Sequence, residues 1–247
     1  MNDTILLIIC AIGSYLLGNV NWAIIISKIK KTDIRKMGSG NPGTLNVSRS
    51  LGLGLGLLTF LLDVLKGAIP TLVSFFIFNG KFFEGTTFFM SDFAIYVCGL
   101  SAVLGHIYPV VFKFKGGKGI ATTIGVLVVC ESVNGVWAVV AIMALVAAVM
   151  FIYLTEFGAM GSFIAITPPA VSGSIRLFLT YWHSSNDLNS TYLVITNMLI
   201  LLICFFTWFA HRKNIERMLS GDEHATSIKS MVIRAKAKKQ QKQENQK

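Results

Sequence analysis

The chain has 247 residues, 53% of them hydrophobic and only 14% charged, with a mean hydropathy of +0.65. Ordinary soluble domains carry about 25% charged residues, so this composition argues against a soluble globular domain and excludes a disordered chain. The net charge is nevertheless +10, which leaves two readings: a membrane protein with its basic residues gathered on one side, or a nucleic-acid-binding protein.

Apolar runs of roughly 20 residues, enough to cross the hydrocarbon core, recur along the chain. In order they lie near Thr4–Ser27, Leu53–Phe78, Phe88–Phe112, Gly135–Leu154, Gly158–Tyr181 and Thr191–Ala210. Gly119–Cys130 is apolar but short, closed by Glu131 and Asn134; as a helix it reaches only about 18 Å. The expected fold is therefore all-α, a polytopic membrane helix bundle of about seven transmembrane segments, one of them short.

Nineteen of the 22 basic residues fall in three segments: Lys28–Arg49, Lys113–Lys118 and the stretch after Ala210. The positive-inside rule assigns all three to the cytoplasm. That requires Gly119–Cys130 to cross, with the N-terminus outside and the C-terminus cytoplasmic. The first residues carry Asp3 rather than a basic n-region, so the first span is expected to be retained. Residues 1–227 read as a single transmembrane domain and 228–247 as a basic polar cytoplasmic tail near anionic lipid. Without aromatics interleaved among its lysines, the tail does not read as a nucleic-acid binder. Cys10, Cys98, Cys130 and Cys204 stand singly in or beside apolar runs and read as packing residues. No metal-ligand cluster appears, and no cofactor is expected.

The polar residues outside these runs concentrate in the same three segments. Gly38-Ser39-Gly40-Asn41-Pro42-Gly43-Thr44-Leu45-Asn46, followed by Arg49, is a glycine-rich loop that can approach a ligand and nest an anion. Gly105-His106-Ile107-Tyr108-Pro109 leads to Phe114-Lys115-Gly116-Gly117-Lys118-Gly119-Ile120-Ala121-Thr122, glycines and lysines that open a helix and suit phosphate. This is not a P-loop, because the G-x-x-x-x-G-K-[ST] spacing is missing. His211 to Glu223 form the third segment, where His211 and Asn214 share a helical face. Inside the second span Asp63 and Lys66 are three apart and suit a mutual ion pair that supports the site. Leu51–Gly56 alternates Leu and Gly without a preceding strand, which suits close helix packing or a flexible lead into the span. Glu216 at H-x-x-x-x-E spacing from His211 reads as coincidence, and His106 as the residue that orients the glycine loop.

Together the three segments resemble the bacterial integral-membrane glycerol-3-phosphate acyltransferases that use acyl-phosphate as donor. That family carries GSGNxGATNxxR, then GHxxP…FKGGKGxAT, then HxxNxxRLxxGxE. Here the corresponding stretches are GSGNPGTLNVSR (Gly38–Arg49), GHIYP with FKGGKGIAT (Gly105–Thr122) and HRKNIERMLSGDE (His211–Glu223). Thr44-Leu45 stand where the family has Ala-Thr, and Met218 where it has Leu. The resemblance implies transfer of a fatty acyl group to the sn-1 hydroxyl of glycerol 3-phosphate, giving lysophosphatidic acid and phosphate, the first step of phospholipid biosynthesis. It implies Ser39, Arg49, Lys118, His211 and Asn214 as catalytic, and Gly40, Asn41, Asn46, Lys115, Gly116, Gly117, Gly119 and Thr122 as phosphate-binding. His106, Asp63, Lys66 and Glu223 would support the site. The implied setting is the bacterial cytoplasmic membrane with the active site at its cytoplasmic face. The implied partners are the two phosphorylated substrates, membrane lipid and an upstream enzyme that forms the acyl-phosphate, with no nucleic acid. A mixed anhydride has a good leaving group, so no covalent acyl-enzyme is required. The base is either His211 or a substrate phosphate.

Two other classes compete. A transporter would place ionisable groups at mid-membrane on several spans, and only Asp63 and Lys66 stand out there. An intramembrane serine hydrolase pairing Ser39 with His211 would want a G-x-S-x-G elbow, which is missing.

Overall fold

The computed structural model describes residues 2–182, 187–222, 226–227 and the single positions 229, 230, 232, 233 and 237. Glu223, His183, His224 and nearly all of the 228–247 tail lie outside the described residues. Those described form ten α-helices, with one isolated antiparallel bridge between Phe82 and Phe89 and no strand.

The first apolar run is not one helix. It breaks at Asn19–Asn21 into α1 (Asp3–Gly18) and α2 (Trp22–Ile29). Asparagine side chains compete for backbone groups, and both do so here. Asn19 donates to the Tyr15 carbonyl through its N–H and its side-chain amide, at 3.0 and 2.6 Å. Asn21 caps α2 by accepting from the Ile24 N–H at 3.0 Å. Lys66 Nζ then donates to the carbonyl of Val20 inside the break, at 2.7 Å.

After the first polar loop come a short α3 (Thr44–Leu51) and the long α4 (Leu53–Phe78). Gly52 turns the chain between them at φ +107°, while a Cβ on Gly56 would sit 1.8 Å from Ser48 Oγ. The Leu-Gly repeat thus serves both as a turn and as a close packing face. The chain continues through α5 (Met90–Ile107), α6 (Ile120–Ser132), α7 (Ala138–Thr155), α8 (Gly158–Tyr181), α9 (Asp187–Ala210) and α10 (Arg212–Ser220). α9 begins four residues before the expected Thr191.

Six segments are long and apolar enough to cross a membrane: Asp3–Ile29, Leu53–Phe78, Met90–Phe112, Gly135–Thr155, Gly158–Tyr181 and Asp187–Ala210. Ile120–Ser132 is the seventh, shorter helix. Ten of its 13 residues are buried, because α4, α5, α7 and α8 enclose it. A helix shielded in this way does not have to meet lipid along its length, so it tolerates being short. Small residues let it approach α4: a Cβ on Gly67 would lie 2.2 Å from the Thr122 carbonyl oxygen, and one on Gly125 2.1 Å from that of Val64. α1 and α5 cross in the same manner, Gly18 against Ala102 and Gly105 against Tyr15. Outward faces remain apolar, as with Val139, Ile142 and Met143 on α7.

At the end of the bundle where α5 and α9 begin, a second group of ionisable residues is buried. Arg176 Nη2 lies 3.1 Å from Asp92 Oδ1, and the Tyr181 hydroxyl donates to Asp92 Oδ2 at 2.6 Å. Ser172 donates to Glu131 Oε2 at 2.9 Å. Asp92, Glu131 and Arg176 thus add, at this end of the bundle, to Asp63 and Lys66 as buried ionisable groups.

Candidate active site

The second polar segment starts where α5 ends. The N–H groups of Gly116 and Gly117 donate to the Ile107 and His106 carbonyls, each at 3.2 Å. They cap α5 rather than cradle an anion, which corrects the expectation for both glycines. Neither has room for a side chain: a Cβ on Gly116 would lie 2.0 Å from the His106 carbonyl oxygen, and one on Gly117 2.2 Å from His106 Nε2. Backbone that opens onto a cavity comes next along the chain. Gly119 (φ +85°) precedes α6, no side chain caps that helix, and Gly119, Ile120 and Ala121 line a cavity. The positive end of the helix faces that space.

Lys118 lines the same cavity and donates through Nζ to Asn214 Oδ1. Lys115 is exposed and outside the lining. Thr122 is fully buried and outside the lining, its hydroxyl 3.2 Å from His106 Nδ1. His106 Nδ1 is 3.8 Å from Asp63 Oδ1, and Asp63 is paired with Lys66 at 2.8 Å. The expected ion pair is present, and one buried chain of contacts runs from the α1–α2 break through Lys66 and Asp63 to His106 beside the glycine loop.

In the first segment Asn46 is the organiser. Its Oδ1 accepts from the Ser39 N–H at 3.1 Å, and its Nδ2 donates to the Met37 and Ile34 carbonyls at 2.9 and 3.1 Å. The amide thus frames the loop, and Asn46 itself also lines the cavity. Gly38 (φ +54°) and Gly40 (φ +70°) supply the left-handed turns on either side of Ser39. Ser39, Asn41 and Arg49 line the cavity, and Gly40 does not. Arg49 Nη2 donates to Thr226 Oγ1 at 2.6 Å.

His211 sits at the bend between α9 and α10 and is 4% exposed. Its Nδ1 lies 2.9 Å from the Thr207 carbonyl, which fixes the proton on that nitrogen and leaves Nε2 as an acceptor. Burial, reinforced by the positive charge of Lys118, pulls its pKa down to about 4 against the opposing pull of the Thr207 bond. The ring is neutral at physiological pH. Asn214 follows one turn later, its N–H donating to the His211 carbonyl at 2.8 Å; Glu216 is exposed and outside the lining.

These three segments meet on one cavity of roughly 240 Å³. Its lining combines polar side chains, among them Ser39, Asn41, Arg49, Lys118, His211 and Asn214, with apolar ones, among them Phe60 of α4, Ile124 of α6, Leu145 and Ile152 of α7 and Ala165 of α8.

A family profile described as glycerol-3-phosphate acyltransferase matches residues 8–221. The chain belongs to the glycerol-3-phosphate acyltransferase family. The Halalkalibacterium halodurans member is 36% identical over 214 residues, covering 86% of this chain and 92% of the relative. The Aquifex aeolicus member is 35% identical over 213 residues, 86% of this chain and 95% of its own length. Among solved structures, PlsY, an integral membrane glycerol 3-phosphate acyltransferase in its glycerol 3-phosphate form, is 30% identical. It aligns with a TM-score of 0.70 over 92% of this chain and 98% of its own; a lysophosphatidic acid form gives 0.69. This acyltransferase is accordingly an all-helical integral membrane enzyme.

Two cavity residues escaped the sequence reading. Arg217 was legible as a further cation one helical turn after Asn214. Thr226 carried no signal, since nothing in its neighbourhood sets it apart from the tail. The α7–α8 wall was legible only as lipid-facing sequence.

Proposed function

We propose that this acyltransferase moves a fatty acyl group from acyl-phosphate to the sn-1 hydroxyl of glycerol 3-phosphate, releasing lysophosphatidic acid and phosphate without a covalent acyl-enzyme. One observation carries the reading: a single cavity is lined both by cationic and polar side chains and by apolar helix faces. Two phosphates and one fatty chain need that combination. Arg49 offers a bidentate grip and Lys118 a point charge, with the positive end of α6 beside them. The acyl chain lies along α7 and α8.

Catalysis is then proximity and charge compensation. His211 Nε2 accepts the hydrogen bond of the attacking hydroxyl, whose oxygen adds to the acyl carbon as the anhydride C–O bond breaks. The proton ends on the departing phosphate. Ser39 and Asn41 donate to phosphate or to the developing oxyanion, while Asn214 holds Lys118.

The gathering of basic residues in three segments supports the cytoplasmic face of the bacterial cell membrane as the site of reaction, with the N-terminus outside. Residues 1–227 make up the enzyme; 228–247 form a basic tail at anionic lipid. An upstream enzyme that forms acyl-phosphate would feed the cavity.

Detergent-purified protein given glycerol 3-phosphate and either acyl-phosphate or acyl-CoA tests this. Lysophosphatidate from acyl-phosphate alone is expected. Product from acyl-CoA alone would retain the acyl acceptor and overturn the donor.

A further inference from the structure

The family match ends at residue 221, yet a side chain beyond it reaches the cavity. Thr226 is 2% exposed, and its N–H donates to the Glu156 carbonyl at 2.7 Å, which fastens it to the bend between α7 and α8. Its hydroxyl oxygen accepts from Arg49 Nη2 at 2.6 Å. A Cβ on Gly158 would lie 2.7 Å from that hydroxyl and 3.3 Å from Leu45 Cδ1. Thr226 and Leu45 therefore both lie against Gly158 on the wall. Leu45 is the position at which the motif GSGNxGATNxxR has threonine.

A guanidinium is a rigid planar fork, so a bond to one of its nitrogens sets the direction of the rest. Fixing it beforehand removes part of the ordering cost of binding. We propose that Thr226 is a positioning residue: its hydroxyl replaces the threonine hydroxyl missing at Leu45 and aims Arg49 at a substrate phosphate. The inference rests on the cavity being the phosphate-substrate site described above. It makes the segment after α10 a working part of this enzyme, not an appendage.

The test uses full-length protein in detergent. Glycerol 3-phosphate and inorganic phosphate are titrated calorimetrically, and KM is measured for each substrate. Thr226→Val keeps the shape and removes the hydroxyl. It should raise Kd or KM for the phosphate that Arg49 meets by about fivefold or more, with kcat within about twofold; the separate titrations say which substrate that is. Thr226→Ser should match the parent. Adding Leu45→Thr to Thr226→Val should recover most of the loss, and adding Thr226→Val to Arg49→Ala should cost nothing further. Thr226→Val with unchanged Kd and KM overturns the proposal. So does a loss that Ser and Leu45→Thr fail to repair and that adds to Arg49→Ala, since that is packing alone. A parent that binds both phosphates but never turns over acyl-phosphate would instead remove the donor assignment, and the titrations would still decide Thr226.

Discussion

The two ends of the bundle each bury cations, carboxylates and hydroxyls, yet they are built for different ends. Where α5 and α9 begin, Arg176 faces Asp92, Tyr181 closes on the same carboxylate, and Phe88 stacks on Tyr181 with ring centroids 4.0 Å apart. Arg176 and Asp92 are paired and enclosed, with Glu131 buried in the same group and held by Ser172. At the other end Arg49, Lys118 and Arg217 line an open cavity whose one acidic lining residue among the described residues, Asp63, is paired with Lys66. The same residue types thus make a brace when they pair and are closed off, and the proposed phosphate site where cations line open space.

Breaking the brace should cost the most free energy. Arg176→Ala leaves Asp92 buried without its cation, so thermal unfolding in detergent should report a loss of about 3–5 kcal/mol. The KM values of the surviving folded enzyme should stay near those of the parent. A large KM change with little loss of stability would place Arg176 in the site instead.

Removing charge from the open end should act on turnover. Lys118→Ala is expected to lower kcat/KM by about 10²–10³-fold, the usual cost of losing a positioned electrostatic group. A drop of less than tenfold, measured as phosphate release, would shift the charge-compensating role to Arg49 and Arg217.

How much of this contrast was legible in the sequence depends on the kind of interaction. Lipid-crossing lengths and the three basic loops follow from composition and periodicity, and they predicted the spans to within a few residues. Asp63 with Lys66 was readable because partners three apart on a helix must meet. Arg176 and Asp92 lie 84 positions apart in sequence, and no local pattern announces such a pair. Glycine loops rich in N–H groups looked like anion cradles. For Gly116 and Gly117 the carbonyls at the end of α5 are the nearer acceptors, and Asn46 finds carbonyls of its own loop. Donor chemistry was visible; which acceptor lies within reach is a tertiary fact.

A smaller effect separates His211 from the brace. Its folded pKa of about 4 lies below the unfolded value of about 6.5, so the unfolded chain takes up the proton first. Its contribution to stability is therefore full above pH 6.5 and declines as pH falls toward 4. Between pH 7.5 and 5 the parent should lose about 2 kcal/mol more than His211→Gln. Parallel unfolding curves for the two would show that the ring is not held neutral by burial.

The most direct measurement compares Arg49→Ala with Tyr181→Phe, one substitution at each end, by phosphate release from acyl-phosphate in the presence of glycerol 3-phosphate. Both proteins should fold. Arg49→Ala should retain about 1% of parental activity or less, while Tyr181→Phe should turn over at close to the parental rate with a lowered Tm. Parental turnover by Arg49→Ala would contradict the assignment of the open cationic end as the place where phosphate is held.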